Sequence, residues 1–156
     1  NLSRNHLDYH GTEYAYLAAR LRLFDTLVMD GGVAVVNTDA RYAEAFASAA
    51  QRRGLGLLSI GSCCHADYKL IDQKAVASGL EIMVEIDGEQ RSIIVPLIGG
   101  FQAENALVAL GLAVALGAEL DKAFAGLASL IPAPGRREFG GVKGAARGDV
   151  DYAAPQ

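Results

Sequence analysis

The first apolar positions of the chain recur at the spacing of a helix. Leu17, Leu21 and Phe24 fall on one helical face, and Thr12 precedes them as a residue type suited to an N-cap. The pattern continues to Leu27. An amphipathic helix is therefore predicted between Thr12 and Leu27.

Two short apolar runs then flank a second helical pattern. Residues 33–36 and 57–60 each predict a buried strand, because both are short apolar runs next to turn residues. Asp39 is placed to cap a helix over residues 40–53, which Gly54 ends. Strand, helix and strand in this order predict a parallel βαβ unit.

From residue 68 onward the chain reads as three strands separated by turns. They cover residues 68–76, 80–86 and 91–96, and Ser78-Gly79 and Asp87-Gly88 supply the turns. An antiparallel three-stranded meander is predicted.

Two helical patterns follow the meander. The first covers residues 102–116 and ends at Gly117, and the second covers residues 120–130. The apolar face of the first contains Ala106, Leu107, Leu110 and Val114. We expect this helix to pack on the strand that ends near Leu97, with Leu107 and Leu110 buried.

The predicted fold class is therefore α/β, with a parallel βαβ portion, an antiparallel three-stranded meander and two packed C-terminal helices. Residues 131–135 read Ile-Pro-Ala-Pro-Gly, which is the composition of a linker. The stretch after this linker is too short for a core of its own. We expect one domain over residues 1–131, with a linker and the first strands of another domain over residues 132–156.

Composition restricts the classes of protein that fit this fold. The chain has 156 residues, 51% of them hydrophobic, which is enough for one core. Its net charge of −4 argues against a nucleic-acid partner. No apolar run approaches the roughly 18 residues that a membrane span needs, so membrane insertion is not expected. Cys63 and Cys64 are the only cysteines and are adjacent, which favours a reducing, cytoplasmic compartment.

Residues 1–11 carry the most unusual chemistry. His6 and His10 lie four residues apart with Asp8 between them, so a helix would place both imidazoles on one face. The zinc-protease pattern H-E-x-x-H is absent, because Leu7 follows His6. Two alternatives remain from the residues alone: a metal-dependent hydrolase site, or a capping loop whose histidines bond the backbone.

The segment Cys63-Cys64-His65 is a second candidate cluster. Tetrahedral metal sites usually draw their ligands from separated turns, so three consecutive ligands fit poorly. The segment is interpreted as a partly buried loop after a strand.

Four stretches of the chain carry a resemblance to a known family. Residues 1–11 resemble N-L-S-R-D-H-L-D-Y-H-G, and residues 99–106 resemble the G-x-F-x-x-x-N-A segment. Pro134-Gly135-Arg136 with Glu138 resembles P-G-R-x-E, and residues 151–153 resemble the start of D-Y-A-H-T-P. These are signatures of the Mur ligases, in particular of the members that add the third residue to the UDP-MurNAc-dipeptide of peptidoglycan.

The resemblance implies an ATP-dependent amide-bond ligase that acts on UDP-MurNAc-L-Ala-D-Glu through an acyl phosphate. ATP and Mg²⁺ are the implied cofactors, and the UDP-MurNAc-dipeptide and an amino acid are the implied partners. Residues 1–131 would be the later part of the ATP-binding central domain, and residues 132–156 the linker and start of the C-terminal domain. No G-x-x-x-x-G-K-[ST] pattern occurs, so the P-loop half of the domain is expected upstream and needed as a partner.

The resemblance also implies site residues. His6 matches a magnesium-binding histidine, Asn105 an asparagine that contacts adenine, Arg136 an arginine that reaches the phosphates and Asp151 a carboxylate near the ribose. Ser3 and Arg4 belong to the first motif and are grouped with the binding residues. Without the resemblance, the residue types favour structural roles: Asn105 as an exposed helix position, Arg136 as a solvated linker charge and Asp151 as a strand-end cap.

Three positions depart from the family pattern. Asn5 replaces an aspartate, Ala154 replaces a histidine, and Arg20 occupies the position of a catalytic lysine that is carbamylated in the family. A guanidinium cannot be carbamylated in this way, because it stays protonated. We therefore expect this chain alone to be inactive. The alternative function is a degenerate or truncated Mur-like domain with a non-catalytic binding or scaffold role.

Overall fold

The computed structural model describes residues 13–131, 138–143 and 146–150. Its helices and strands alternate in the first half of the chain, and strands dominate the middle. In chain order they are α1 (Glu13–Arg22), which continues as a π-helical turn (Leu23–Leu27), β1 (Val33–Asn37), α2 (Ala43–Arg52), β2 (Gly56–Gly61), β3 (Tyr68–Val76), β4 (Gly79–Ile86), β5 (Glu89–Val95), α3 (Phe101–Ala115), α4 (Leu120–Gly126), a 3₁₀ turn (Leu127–Ser129), β6 (Glu138–Lys143) and β7 (Ala146–Val150).

The first five strands form one mixed sheet in the order β1-β2-β3-β4-β5. β1 and β2 are parallel from Val33↔Gly56 to Asn37↔Ile60, with α2 as the crossover, which confirms the predicted βαβ unit. β3, β4 and β5 pair antiparallel, which confirms the meander. The α/β fold class is thus confirmed. β6 and β7 form a separate antiparallel pair.

The parallel and antiparallel parts join through a short contact that the sequence pattern does not predict. β2 and β3 are parallel neighbours only at Ile60↔Tyr68 and Gly61↔Lys69. The meander therefore continues the sheet of the βαβ unit.

The turn between β4 and β5 has the backbone that its sequence predicts. Asp87 and Gly88 have φ values of 54° and 80°. Positive φ at both central residues is typical of a type I′ hairpin turn, for which Asp-Gly is a favoured pair.

Helix α3 buries one face against the sheet, as predicted. Leu107 and Leu110 are 0% and 1% exposed and lie in the main core with the inward side chains of the meander. The predicted position of this helix, on the strand that ends near Leu97, holds only in part, because Val95 and Leu97 share its core cluster but most of its contacts lie on other strands. α3 lies across β1, β2, β3 and β4, while the 3₁₀ turn packs on β5.

Gly111 gives the physical reason for the position of α3. A Cβ atom there would lie 2.9 Å from Val35 Cγ1 and 3.0 Å from Leu58 Cδ2. The missing side chain lets the helix backbone approach β1 and β2 closely, so α3 lies over the parallel end of the sheet.

The predicted start of α2 was also wrong. The helix begins at Ala43 with Tyr42 as N-cap residue, and Asp39 does not cap it. The Asp39 carboxylate instead accepts a hydrogen bond from the Ser62 amide at 2.7 Å. The end of α2 was predicted correctly, because Gly54 adopts φ 65° and donates its N–H to the Gln51 carbonyl at 2.9 Å.

The last predicted helix is shorter than expected. α4 ends at Gly126, and residues up to Ser129 form the 3₁₀ turn. Glycine is a poor helix former, and the Ser129 hydroxyl donates to the Gly126 carbonyl at 2.7 Å. Across the described part of the chain, every helix is too short or too polar to serve as a membrane span.

Candidate functional site

A cleft of about 470 Å³ opens beside the C-terminal end of β1. α1 and its π-helical turn form one side, and the first turns of α3 form another. Its apolar wall includes Leu23, Val108, Phe24 and Phe46, and the last two rings meet edge to face with centroids 5.5 Å apart. Ligand sites in open α/β sheets lie outside the carboxyl ends of the parallel strands, which is where this cleft lies.

Four polar side chains line the same cleft: Arg20, Asn37, Glu104 and Asn105. Asn37 is the last residue of β1, and its side-chain amide donates to Glu104 Oε2 at 2.7 Å. Its amide oxygen accepts the Asp39 N–H at 2.9 Å. Both ends of the Asn37 side chain are therefore engaged, and its amide ties β1 to the first turn of α3.

Hydrogen bonds join the end of β1, directly after Asn37, to the end of β2. Thr38 donates both its amide and its hydroxyl to the Ile60 carbonyl, at 2.8 Å and 3.0 Å. The Ser62 amide bonds the Asp39 carboxylate, and a Cβ at Gly61 would lie 3.0 Å from Asp39 Oδ2. Only glycine leaves room for this contact, so the two strand ends form a fixed platform.

Arg20 is an exposed residue of α1 and lies one helical turn after Tyr16. Its guanidinium carbon lies 4.8 Å from the centroid of the Tyr16 ring, and Tyr16 is buried with 6% exposure. A cation over an aromatic face is attracted by the ring quadrupole, which helps to fix the arginine. The ion pairs found in the described part of the chain do not include Arg20.

Asn105 lies exposed in the first part of α3. Its side-chain N–H donates to Gln102 Oε1 at 3.0 Å. Its carboxamide oxygen is a hydrogen-bond acceptor next to the N–H donor of the same amide. A purine edge, which also has a donor beside an acceptor, can pair with such an amide.

The structure brings two of the predicted site residues, Arg20 and Asn105, into one cleft. The other predicted site residues lie outside the described residues: Ser3, Arg4, His6, Arg136 and Asp151. Asn5 and Ala154 lie outside them as well.

Two residues of this cleft, Asn37 and Glu104, were not predicted from the sequence. Asn37 carried a usable signal, because it ends a predicted parallel strand. Glu104 carried only a weak one, its position directly before Asn105. The contact between them joins residues 67 positions apart, which no local pattern reveals.

The donor set at the Arg20 end of the cleft does not fit a metal ion. A guanidinium has five N–H donors and no free electron pair for a metal. Glu104 is the only carboxylate among the described lining residues, and one of its oxygens already accepts from Asn37. Residues 13–131 contain no group of three or more His, Cys, Asp or Glu side chains arranged for a metal.

The loop with Cys63, Cys64 and His65 follows β2, as predicted, but it is not partly buried. All three side chains are exposed, and both cysteines are free thiols. A backbone hydrogen bond from Ala66 N to Cys63 O, 3.1 Å long, closes a tight turn here. Such a turn projects its side chains into solvent.

Comparison with known proteins assigns this chain to a family. The Mur ligase middle domain matches residues 1–113 of the chain. The chain therefore belongs to the Mur ligase family, and the resemblance found in its motifs is confirmed.

The individual relatives narrow the comparison to one kind of ligase. The UDP-N-acetylmuramoyl-L-alanyl-D-glutamate–2,6-diaminopimelate ligase of Zymomonas mobilis is 44% identical over 138 residues, which cover 88% of this chain and 28% of the relative. The ligase of the same name from Caulobacter vibrioides is 40% identical over 155 residues, covering 98% of this chain and 32% of the relative. The chain thus spans about a third of the length of these relatives.

Solved structures agree with the sequence relatives. A structure of UDP-N-acetylmuramoyl-L-alanyl-D-glutamate–2,6-diaminopimelate ligase superposes with a TM-score of 0.80 at 32% identity, covering 92% of this chain and 29% of that one. MurF from Acinetobacter baumannii gives a TM-score of 0.85 at 22% identity over 99% of this chain and 33% of that one, which supports the fold alone. MurF ligase from Thermotoga maritima, solved in complex with ADP, gives 0.75 at 21% identity over 92% of this chain and 32% of that one.

Proposed function

We propose that this chain is part of an ATP-dependent ligase that adds the third amino acid to UDP-MurNAc-L-Ala-D-Glu in peptidoglycan synthesis. ATP would phosphorylate the substrate carboxylate, and the amine of the amino acid would displace phosphate from the acyl phosphate. The relatives' shared name favours 2,6-diaminopimelate as that amino acid. Such a reaction belongs in the cytoplasm, where its nucleotide substrates are made, and involves neither nucleic acid nor membrane insertion.

The single observation that carries this proposal is the shared position of Asn105 and Arg20. Sequence matching to the ligases selected both residues separately, and both line one cleft at the carboxyl end of β1. Asn105 would present its amide to the adenine ring, where donor and acceptor lie side by side. The apolar wall with Phe24 and Val108 would exclude water from the face of the base.

The remaining assignments extend this proposal beyond the described residues. Residues 1–131 would be the later part of the ATP-binding domain, and residues 132–156 the linker and start of the C-terminal domain. The chain would work together with the P-loop half of the domain. His6 would help to hold Mg²⁺, which neutralises phosphate charge when bound, while Arg136 would reach the phosphates and Asp151 the ribose. Ser3 and Arg4 would contribute binding contacts.

Nucleotide binding by the chain joined to a P-loop half from a relative tests the role of Asn105. Calorimetric titration with ATP and GTP should show tighter binding of ATP, because the asparagine amide matches the adenine edge and not the guanine edge. Asn105→Ala should weaken ATP binding by up to about tenfold and remove the preference, in line with the roughly 0.5–1.5 kcal/mol that a typical hydrogen bond contributes. Equal affinities for ATP and GTP in the unaltered chain would refute the assignment.

A non-catalytic binding role is the second candidate function, and Arg20 is the observation that favours it. A permanent cation stands where the family pattern has a carbamylated lysine. The two candidates differ in turnover when the chain is joined to a P-loop half from a relative. Product formation with UDP-MurNAc-dipeptide and 2,6-diaminopimelate supports the ligase, and nucleotide binding without product supports the binding role.

A further inference from the structure

We propose that Arg20 binds a phosphate group directly, so that its end of the cleft is an anion site that needs no metal ion. The ligand class is an inorganic or nucleotide polyphosphate. For a nucleotide the inference rests on the proposed function, whereas for an inorganic polyphosphate it stands alone.

The first support is the way in which Arg20 is held. Its guanidinium carbon lies 4.8 Å from the centroid of the buried Tyr16 ring, which attracts the cation without neutralising its charge. The guanidinium carries paired N–H donors that match two phosphate oxygens.

The second support is that no carboxylate of the described residues neutralises Arg20. Arg52 pairs with Asp25 at 3.2 Å and Arg53 pairs with Asp30 at 2.9 Å, whereas Arg20 has no such partner there. Glu104, the only carboxylate among the described lining residues of the cleft, accepts a hydrogen bond from Asn37 and forms no ion pair with Arg20. The positive charge is therefore available to a ligand.

The third support is the cleft itself. Its volume of about 470 Å³ falls in the range of small-molecule sites. Apolar side chains such as Leu23 and Val108 form much of its wall, and a charge pair beside such a wall is screened less than one in open water. A guanidinium cannot donate electrons to a metal, so the direct partner of Arg20 is the anion.

Titration of the chain with inorganic tripolyphosphate, in buffer with a metal chelator, tests the proposal. Binding should occur without magnesium, and Arg20→Ala should weaken it at least tenfold. Arg20→Gln, which keeps the length and removes the charge, should lose as much, and thermal melting shows whether either variant is still folded. Added magnesium should weaken binding, because it competes with Arg20 for the phosphate oxygens.

Two further variants sharpen the result. Arg22→Ala is the matched control, because Arg22 is an exposed arginine at the end of the same helix and is not part of the cleft lining. It should leave the affinity within about twofold. Glu104→Gln should strengthen binding, since it removes a negative charge from the cleft.

The outcomes separate this inference from the proposed function. If Asn105→Ala leaves ATP binding unchanged while Arg20→Ala abolishes tripolyphosphate binding, the adenine assignment fails and the anion site stands. If the unaltered chain does not bind tripolyphosphate, if binding requires magnesium, or if Arg20→Ala and Arg22→Ala have equal effects, the anion site is refuted.

Discussion

Ionisation of the Tyr68 phenol makes the stability of the fold depend on pH in the alkaline range. It is buried at the start of β3, and its pKa is raised above the ordinary value of 10.0 by burial and, to a smaller extent, by the charges of Asp87 and Asp67. The folded state therefore favours the neutral phenol. This contribution is fully present below about pH 10 and is lost as pH rises through the higher folded-state pKa.

Tyr68→Phe should remove this part of the alkaline destabilisation. Urea unfolding at pH 8 and at pH 10.5 should show the free energy of unfolding falling less with pH in the variant than in the unaltered chain. Asp87→Asn is a milder comparison, because it removes one of the two charges and leaves the burial. Parallel pH profiles for Tyr68→Phe and the unaltered chain would contradict the assignment.

Gly111 should resist a substitution that usually stabilises helices. Alanine is favoured over glycine by about 1 kcal/mol in a helix interior, but a methyl group here would press on Val35 and Leu58. Overpacking typically costs about 1–3 kcal/mol, so we expect Gly111→Ala to be destabilising by about 1 kcal/mol net. Urea unfolding of Gly111→Ala measures this loss.

A double-mutant cycle with Val35→Ala identifies the cause. The double variant should be more stable than the sum of the two single changes allows, by about 1 kcal/mol, because the smaller residue makes room for the methyl group. Simple additivity would mean that the contact between α3 and β1 is looser than described.

Two of the four polar residues of the cleft could be predicted from the sequence. Asn105 was found through a matched motif, and Arg20 through its position relative to the motif of residues 1–11. Asn37 and Glu104 were missed because their hydrogen bond depends on how α3 lies on the sheet. The position of α3 depends in turn on the side chain that Gly111 lacks.

Asp39 shows how an element boundary can depend on tertiary structure. A local rule made it the N-cap of a helix, yet its carboxylate bonds the Ser62 amide of another strand end. Residues after it first form turns, with Ala43 N donating to Ala40 O at 3.0 Å, so the helix begins later. The strands and helices themselves were predictable from periodicity, while this boundary was not.

Asp39→Ala should therefore weaken the link between the ends of β1 and β2 and leave α2 intact. We expect a loss of about 1 kcal/mol in the free energy of unfolding, because the bond is solvent-exposed. Far-UV circular dichroism should show unchanged helix content, and Asp39→Asn should recover part of the stability through its amide oxygen. A clear loss of helix in Asp39→Ala would restore the cap interpretation.

For the whole molecule, stability should differ between inner and outer strands of the sheet. β4 is paired on both sides, whereas β1 is one of the two outer strands of the described sheet, and its Val33 is 39% exposed. Local opening of an outer strand needs less free energy than global unfolding. Native-state hydrogen exchange should give protection at least about tenfold lower for the amides of β1 than for those of β4.

Equal protection in β1 and β4 would show that the sheet opens only as one unit.

The joining of the two halves of this sheet could not be predicted from sequence. It depends on the two residue pairs Ile60↔Tyr68 and Gly61↔Lys69, and so short a pairing leaves no periodic signature. The class of fold was predictable because each half has a strong pattern of its own.

The close approach at Gly111 also limits the order in which substitutions can accumulate in this family during evolution. A larger residue at this position becomes tolerable only after Val35 or Leu58 has become smaller, since each lies about 3 Å from the place of the missing Cβ. The reverse order passes through an overpacked intermediate. Lineages that carry a side chain at this helix position should therefore also carry a reduced residue on β1 or β2, and the two changes should be inherited together.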